Sequence, residues 1–365
     1  MKNFFRIYSF FLTFLLAVSI GRGFMSFWFI QNGFSFSQAS LFYLIDYATP
    51  PIMLLFTKKF SSKKSFYLAL ISEILLMASF YHFFHPWQIY LSGILAGLTV
   101  VFFYITYNTL YFENTPKDKR ATSSSLFTLA GPFLGITIPL VIGFFGQKYG
   151  LSSVFLISIL ILFVTLWLIK FLPYIEFKCE LGQSLLKTKK INFLLFLEGT
   201  KESVSLASVP LFTLFFIRQP LPYGKFLSYL AFLSTAASIF LGYISDKFKR
   251  RKIILYPVTF LVGLLIVGLG LASNIFWWTI LSGTLSFLIT INGTFVTTLV
   301  LDQISDVKIG MISREFLLGA GRVFGMAFTF LSLTFSNSPK LALILIGSLY
   351  FLFPLTVYLR KLYQN

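Results

Sequence analysis

The segment AFLSTAASIFLGYISDKFKRRKIILYPVTFLVGLLIVG, residues 231–268, decides how this chain folds. Two apolar runs flank a short turn that contains one aspartate and five basic residues. An α-helix needs about 20 apolar residues to cross the hydrocarbon core of a bilayer. Each run belongs to a stretch of about that length, 225–245 and 253–272. The segment therefore predicts two membrane-spanning helices joined by a basic turn.

The same alternation extends over all 365 residues, of which 57% are hydrophobic and 12% charged, a balance foreign to soluble domains. Twelve spans of about 20 apolar residues with short connections account for nearly the whole length. We therefore expect an all-α membrane protein without a separate soluble catalytic domain or a long ectodomain. Windowed hydropathy places the spans at 7–30, 38–57, 65–84, 87–112, 121–145, 151–172, 191–217, 225–245, 253–272, 275–301, 312–335 and 339–358.

The charge and the cysteine count exclude several classes of function. The net charge is +18, but the Lys and Arg residues separate apolar runs instead of clustering on a soluble module, which argues against nucleic-acid binding. Cys179 is the single cysteine, so no intrachain disulfide can form. One cysteine and two histidines cannot build a cysteine-rich metal site. We expect no metal and no cofactor.

The positive charges also predict the orientation, because Lys and Arg in short loops are retained on the cytoplasmic side. With a cytoplasmic N-terminus, 23 of the 30 basic residues lie on the cytoplasmic side and 4 on the opposite side. The other three, Arg22, Lys201 and Arg322, fall inside spans. The sequence thus predicts a multi-pass protein of the cytoplasmic (inner or plasma) membrane with both termini in the cytoplasm.

The two halves of the sequence resemble each other at nearly equal offsets. An offset of 188 places the basic turn 58–64 on the turn 246–252, and an offset of 190 places AGPFLG, 130–135, on AGRVFG, 320–325. Nearly equal offsets in two places indicate a duplicated six-span unit. We expect an N-terminal bundle at 1–172, a cytoplasmic central loop at 173–190 and a C-terminal bundle at 191–365.

The turn GYISDKFKRRK, residues 242–252, resembles the cytoplasmic signature of the major facilitator superfamily, in which a small residue precedes an aspartate and a basic cluster. The resemblance implies two pseudo-symmetric six-helix bundles and secondary transport by alternating access. It also implies that Asp246 faces the start of span 5, near residues 120–123, and latches the cytoplasmic side. The residues that it assigns to this gate are Gly242, Asp246, Lys247, Arg250 and Arg251.

The first half departs from this signature because Lys58 occupies the position of the aspartate. A cation cannot bind the positive end of a helix dipole. As a hypothesis, Lys58 and its neighbours pair with carboxylates around spans 10 and 11 instead. The candidates are Asp302, Asp306 and Glu315.

Seven ionisable residues lie within the predicted spans, and unpaired exposure to lipid would cost about 2.5–3.5 kcal/mol for each. They must therefore face one another or water. At about 1.5 Å per residue, Arg22 is level with Asp46, and Glu202 is level with Arg322. Glu73 is expected on the periphery, where third spans lie in the superfamily. The seven are Arg22, Asp46, Glu73, Glu198, Lys201, Glu202 and Arg322.

These charges suggest two functions, each with a purely structural alternative. Glu198 and Glu202 are four residues apart and share a helix face. They are our candidates for proton coupling, with Arg322 as their partner or as an anion ligand. Arg22 and Asp46 form either an ion pair that fixes helix packing or part of a substrate site. Polar residues expected to line a central cavity are Tyr104, Tyr107, Asn108, Asn292, Thr294 and Thr298.

The leading interpretation is a transporter, not an enzyme, that exports a small organic or amphiphilic solute in exchange for protons. Gly131-Pro132 with Gly135 resembles part of the glycine-proline motif of antiporters. The expected partners are a small-molecule substrate, protons and membrane lipids, with the chain acting as a monomer. One alternative is a transporter-derived sensor or assembly factor. Another is a lipid-modifying transferase, although the short loops contain no acid-base or metal constellation.

Overall fold

The computed structural model describes residues 2–81, 85–114, 120–245, 251–303, 307–360 and 362. Helices dominate them, because a chain in lipid must satisfy its backbone hydrogen bonds within each segment. The α-helices are α1 (Lys2–Arg22), α2 (Met25–Gln31), α3 (Phe36–Phe56), α4 (Ser62–Tyr81), α5 (Gln88–Glu113), α6 (Arg120–Tyr149), α7 (Leu151–Leu168), α8 (Leu181–Lys187), α9 (Asn192–Ser203), α10 (Val209–Thr213), α11 (Pro220–Ser245), α12 (Arg251–Leu271), α13 (Ile275–Gln303), α14 (Val307–Ser336), α15 (Lys340–Tyr350) and α16 (Leu352–Leu359).

Eight helical stretches of the described chain are long and apolar enough to cross a membrane. Two shorter apolar helices, Phe133–Tyr149 and Leu255–Leu271, add to them. The chain is therefore a multi-pass integral membrane protein, while the total of twelve spans stays a prediction. The eight stretches are Phe4–Gln31, Phe36–Phe56, Ser62–Tyr81, Gln88–Tyr111, Leu151–Phe171, Ile275–Thr294, Ile309–Ser336 and Lys340–Leu359.

The helix contacts of the first half recur in the second half. In the first half α1 packs on α6 and α7, α3 packs on α5, and α4 packs on α5 and α7. In the second half α9 packs on α14 and α15, α11 packs on α13, and α12 packs on α13 and α15. Two further contacts, α3 with α14 and α6 with α11, join the halves. This recurrence is the pattern that duplication of a helical unit produces.

Three predicted spans are interrupted in the part of the chain that the structure describes, a feature that windowed hydropathy does not detect. The first breaks after Arg22, where Gly21 and Gly23 weaken the helix. The span predicted at 191–217 contains a wide π-helical turn, Val204–Ser208, ahead of Pro210. The last breaks at Phe351, because the ring of Pro354 clashes with the carbonyl four residues earlier. These breaks leave backbone groups and side chains free to turn toward a site.

A small antiparallel sheet accompanies the helices and includes part of the central loop expected at 173–190. Strand β1 (Lys59–Ser61) pairs with strand β2 (Glu176–Lys178), in the segment expected to be a loop. The rings of Phe60 and Phe177 stack with centroids 5.4 Å apart. The Tyr174 hydroxyl donates a hydrogen bond to Glu176 Oε2, and Lys59 Nζ donates one to Glu176 Oε1 at 3.1 Å. These two hydrogen bonds lower the pKa of Glu176. The central linker is therefore attached to the turn between α3 and α4.

The single thiol of the chain lies on this linker and gives a direct test of its structure. The Cys179 N–H donates to the Lys58 carbonyl at 2.9 Å, and burial raises the pKa of the thiol to about 11. Only the thiolate is nucleophilic. We therefore expect maleimide labelling at pH 7 to be about 100-fold slower than that of a free cysteine, rising with pH toward 11. Equal rates before and after denaturation in SDS would contradict the buried thiol.

Candidate functional site

A cavity of about 420 Å³ lies between the two halves of the chain. Its wall comes from α1, α2, α3 and α5 of the first half, and from the π-helical turn and α14 of the second. A volume of this size suits a drug-sized molecule. The residues that line it are Phe14, Val18, Arg22, Met25, Phe42, Tyr43, Asp46, Tyr47, Pro50, Thr99, Val100, Tyr104, Asn108, Leu206, Met311, Arg314, Glu315 and Arg322.

Arg22 joins α1 to α4 and α5 at the wall of this cavity. Its Nε and Nη2 atoms donate to the two carboxylate oxygens of Glu73 at 2.9 and 2.5 Å, and Nη2 also donates to the Ala96 carbonyl at 3.0 Å. Glu73 is fully buried. Asp46 is more distant, with Oδ2 at 3.9 Å from Arg22 Nη1. The peripheral position expected for Glu73 is therefore wrong, and Glu73, not Asp46, is the principal partner of Arg22.

Arg322 and Glu202 join α14 to α9 in the second half. The Nε and Nη2 atoms of Arg322 both donate to Glu202 Oε2, at 2.8 and 2.5 Å. The two side chains keep 13% and 20% of their surface exposed. Arg322 lines the cavity, whereas Glu202 is not among the lining residues. The Glu202 carboxylate is therefore connected to the cavity through the guanidinium of Arg322.

Glu198 does not share Arg322, although it lies one helical turn before Glu202. Its carboxylate forms an ion pair with Lys201, and its Oε2 accepts hydrogen bonds from Asn292 Nδ2 and the Tyr350 hydroxyl, each at 3.0 Å. The buried side chains of this cluster connect α9, α13 and α15. The expectation that both glutamates face Arg322 is therefore corrected: Glu198 belongs to a separate buried network, and Glu202 alone pairs with Arg322.

Two glycines bring the helices close enough for these pairs. A Cβ atom on Gly97 would lie 2.4 Å from the Thr49 Cβ and 2.5 Å from the Asp46 carbonyl, so α5 contacts α3 at the level of Asp46. A Cβ atom on Gly321 would lie 2.1 Å from the Phe196 carbonyl oxygen. Such distances exclude any side chain, because backbone cannot yield. The second contact holds α14 against α9 beside Arg322.

Aromatic side chains of the two halves meet near the Met25 end of the cavity. The Tyr223 ring lies 5.2 Å from that of Phe24 and 5.3 Å from that of Phe27. Phe36 stacks on Phe215 with centroids 3.9 Å apart. Each contact joins the first half to the second. The halves are therefore packed together at the end where α2 leads into α3.

The residues predicted to line a cavity separate into two groups. Tyr104 and Asn108 line it, but Tyr107 is buried and stacks on Phe11 with centroids 4.3 Å apart. Asn292 belongs to the Glu198 network, and the Thr294 hydroxyl donates to the Thr290 carbonyl at 3.1 Å. These three residues are not among those that line this cavity, so their role as lining residues stays a prediction. The Thr298 side chain lies outside the described residues.

The lining residues that sequence reasoning missed include Tyr43, Tyr47, Arg314 and Glu315. The two tyrosines resemble the many other aromatics of the chain, so composition gave no signal. Arg314 was counted among the cytoplasmic charges and Glu315 among the possible partners of Lys58, whereas both lie within α14 and line the cavity. A basic and an acidic residue adjacent in sequence, inside a helix of 30 residues, were the available signal.

The cytoplasmic gate lies mostly outside the described residues. Asp246, Lys247, Arg250 and Asp306 lie outside the described residues. Asp302 lies in α13, but its side chain is not described. Gly242 is in α11 and Arg251 begins α12, but their side chains are likewise not described. The proposed contact of Lys58 with Glu315 is not formed: Glu315 pairs with Arg314 at 2.5 Å. Lys59, next to Lys58, instead pairs with Glu176.

These features define a class: a multi-pass helical membrane protein whose halves enclose a charged, aromatic cavity. The family model of the Major Facilitator Superfamily matches residues 4–335, nearly the whole chain. The chain therefore belongs to the Major Facilitator Superfamily, which confirms the resemblance of its cytoplasmic turn. A comparison with curated proteins gave no match. The superfamily consists in general of secondary transporters, not enzymes.

Proposed function

We propose that the chain exports a small organic or amphiphilic solute in exchange for protons, by alternating access. Membership of the superfamily supports a secondary transporter in general. The observation that carries the finer proposal is the Glu202–Arg322 pair, whose arginine lines a cavity between the halves. A carboxylate with one cationic partner can bind a proton when that partner moves or a solute competes. Gly131, Pro132 and Gly135 on α6 favour the antiporter mode.

In this proposal residues 1–172 and 191–365 are two bundles that move against each other. The recurrence of helix contacts in the two halves supports this division. The halves touch through α3 with α14 and through α6 with α11, and the cavity is lined by both halves. In this proposal the stack of Phe36 on Phe215, which joins the halves, closes one end of the cavity. Opening that end while the opposite end closes would expose the same cavity to the other side.

The proposal also includes an orientation: a cytoplasmic membrane, with both termini inside. The distribution of basic residues supports it, because 23 of the 30 then lie on the cytoplasmic side. The end closed by Phe36 and Phe215 is the outer end in this orientation. The structure then corresponds to a state closed to the outside, from which a cytoplasmic solute would load.

Alternating access predicts that one cavity position is reached from both sides of the membrane. We expect Asn108→Cys, in a Cys179→Ser background, to react with an impermeant thiol reagent in right-side-out and in inverted vesicles. Glu180→Cys on the exposed linker is the matched control, and should react only from the cytoplasmic side. The measurement is the labelled fraction after a fixed time. Labelling of Asn108→Cys from one side only would contradict alternating access.

The substrate itself can be sought by a thermal-stability screen of purified protein, followed by counterflow in proteoliposomes. We expect a stabilising compound to show transient accumulation of its labelled form when the vesicles are preloaded with unlabelled compound. A sensor or assembly factor would bind the compound without exchange. A transferase would convert it. Either result would replace the transport proposal.

A further inference from the structure

Among the carboxylates at or next to the cavity, Asp46 has the weakest contacts with positive charges and hydrogen-bond donors. It lies on α3, lines the cavity and is 5% exposed. Its Oδ1 atom accepts no hydrogen bond from any residue that the structure describes. Its Oδ2 atom is 3.9 Å from the nearest guanidinium nitrogen, beyond hydrogen-bond distance. A buried charge without hydrogen bonds is costly, so an additional group that satisfies Asp46 would be bound favourably.

Arg22 cannot supply those hydrogen bonds in its present geometry. Its Nε and Nη2 atoms are bound to Glu73, and Nη2 also donates to the Ala96 carbonyl. Glu73 is fully buried and holds the guanidinium in a two-pronged contact, the strongest geometry for such a pair. The Nη1 atom, which Glu73 does not bind, stays 3.9 Å from Asp46, and bringing it closer would strain the two hydrogen bonds to Glu73. The positive charge of Arg22 is therefore compensated mainly by Glu73, and only weakly compensates Asp46.

The charges at the cavity, within the described part of the chain, do not balance. Three guanidinium groups each contact a carboxylate, in the pairs Arg22–Glu73, Arg314–Glu315 and Arg322–Glu202. Asp46 is the fourth carboxylate, left after these pairs are formed. With Asp46 ionised, these groups carry one more negative than positive charge. A bound anion would meet three guanidinium groups that are already paired and an additional carboxylate, whereas a cation can pair with Asp46 directly.

Aromatic side chains surround the same carboxylate. Tyr43 and Tyr47 flank Asp46 on α3, and Tyr104 faces the cavity from α5. Phe14 and Phe42 add apolar wall. Aromatic faces attract cations, by about 2 kcal/mol or more when water is excluded. The site therefore offers one carboxylate for charge and aromatic rings for the rest of a bulky cation.

We propose that Asp46 and its tyrosines bind a monovalent organic cation with aromatic or aliphatic bulk. This substrate class rests on the proposed function, because it occupies the transport cavity. The cation neutralises Asp46 and places its apolar groups against Tyr43, Tyr47 and Tyr104. The three arginine pairs stay intact, so they set the shape of the site and exclude anions.

The test is equilibrium binding of radiolabelled tetraphenylphosphonium to purified protein in detergent. We expect saturable binding to the full chain, and an affinity roughly 10- to 100-fold lower for Asp46→Asn, which keeps the shape but not the charge. Asp46→Glu should retain most of the affinity, and Glu180→Gln, which removes an exposed carboxylate, should retain all of it. Tetraphenylborate, of the same shape and opposite charge, should not compete. Thermal melting of each variant checks that it is folded.

Two outcomes would overturn the cation proposal: equal tetraphenylphosphonium affinity in the wild type and in folded Asp46→Asn, or absence of saturable binding to the wild type. Its failure is distinct from failure of the transport proposal. If Asn108→Cys labels from both sides but the cation does not bind, the substrate class is wrong and alternating access stands. If Asp46-dependent binding occurs and Asn108→Cys labels from one side only, the substrate class stands and alternating access is wrong.

Discussion

Glu202→Gln is expected to abolish proton-driven accumulation of the substrate while leaving downhill exchange intact. The amide keeps the size of the side chain and can still accept a hydrogen bond from Arg322, so the contact between α9 and α14 persists. It cannot bind or release a proton, and coupling needs that step. The measurement is uptake of the labelled screening hit into inverted vesicles, with and without an imposed pH gradient. Exchange without the gradient should differ from the wild type by less than about threefold.

Glu180→Gln is the matched control, since it removes a carboxylate on the exposed linker away from the cavity. Glu202→Asp keeps the titratable group but shortens its reach to Arg322, and we expect it to retain partial accumulation. Glu198→Gln tests the second candidate, whose network is closed by Asn292 and Tyr350. A Glu202→Gln variant that still concentrates the substrate against its gradient would remove Glu202 from the coupling mechanism.

Much of the fold could be predicted because the bilayer imposes one strong rule on the sequence. A stretch of about 20 apolar residues bounded by basic turns can hardly be anything but a membrane helix. The match over residues 4–335 confirms the superfamily, which a turn of eleven residues and a duplicated spacing had indicated. Repetition carried this inference further than composition alone, because it relates each helix to a counterpart.

Local departures from regular helix could not be predicted in the same way. Hydropathy averages over a window, so it does not detect a break at residue 23 or a wide turn before Pro210. The strands β1 and β2 are three residues each, too short for an alternating pattern, and their pairing joins segments far apart in sequence. Such features depend on which helices become neighbours. That information is in the packing, not in any single segment.

The buried charges show the same limit more sharply. Depth along a helix placed Glu202 level with Arg322, and the structure brings them together. Depth also placed Arg22 level with Asp46, but it carries no information on rotation about the helix axis. Glu73 was set aside because third spans are peripheral in the superfamily, although a charged residue in an apolar helix needs a partner wherever the helix lies. The physical rule was the better guide there.

Removal of either partner of the Arg22–Glu73 pair is expected to destabilise the protein by about 3–5 kcal/mol, because it leaves a buried charge without its partner. The loss of free energy of unfolding should differ between the variant without Arg22 and the variant without Glu73. Glu73→Met leaves Arg22 next to Asp46, 3.9 Å away, which can take over as its carboxylate. Arg22→Met leaves Glu73 fully buried. We therefore expect Arg22→Met to lie at the upper end of that range and Glu73→Met at the lower end.

The measurement is the apparent free energy of unfolding in mixed micelles, with Glu180→Gln as a surface control. The double variant Arg22→Met with Glu73→Met completes a cycle that isolates the pair. Because two apolar groups of similar size can replace a buried pair at little cost, the double variant should be more stable than Arg22→Met alone. Additive losses would contradict a direct Arg22–Glu73 interaction. In Glu73→Met the shift of Arg22 toward Asp46 should also weaken tetraphenylphosphonium binding, since the cation and the guanidinium then compete for one carboxylate.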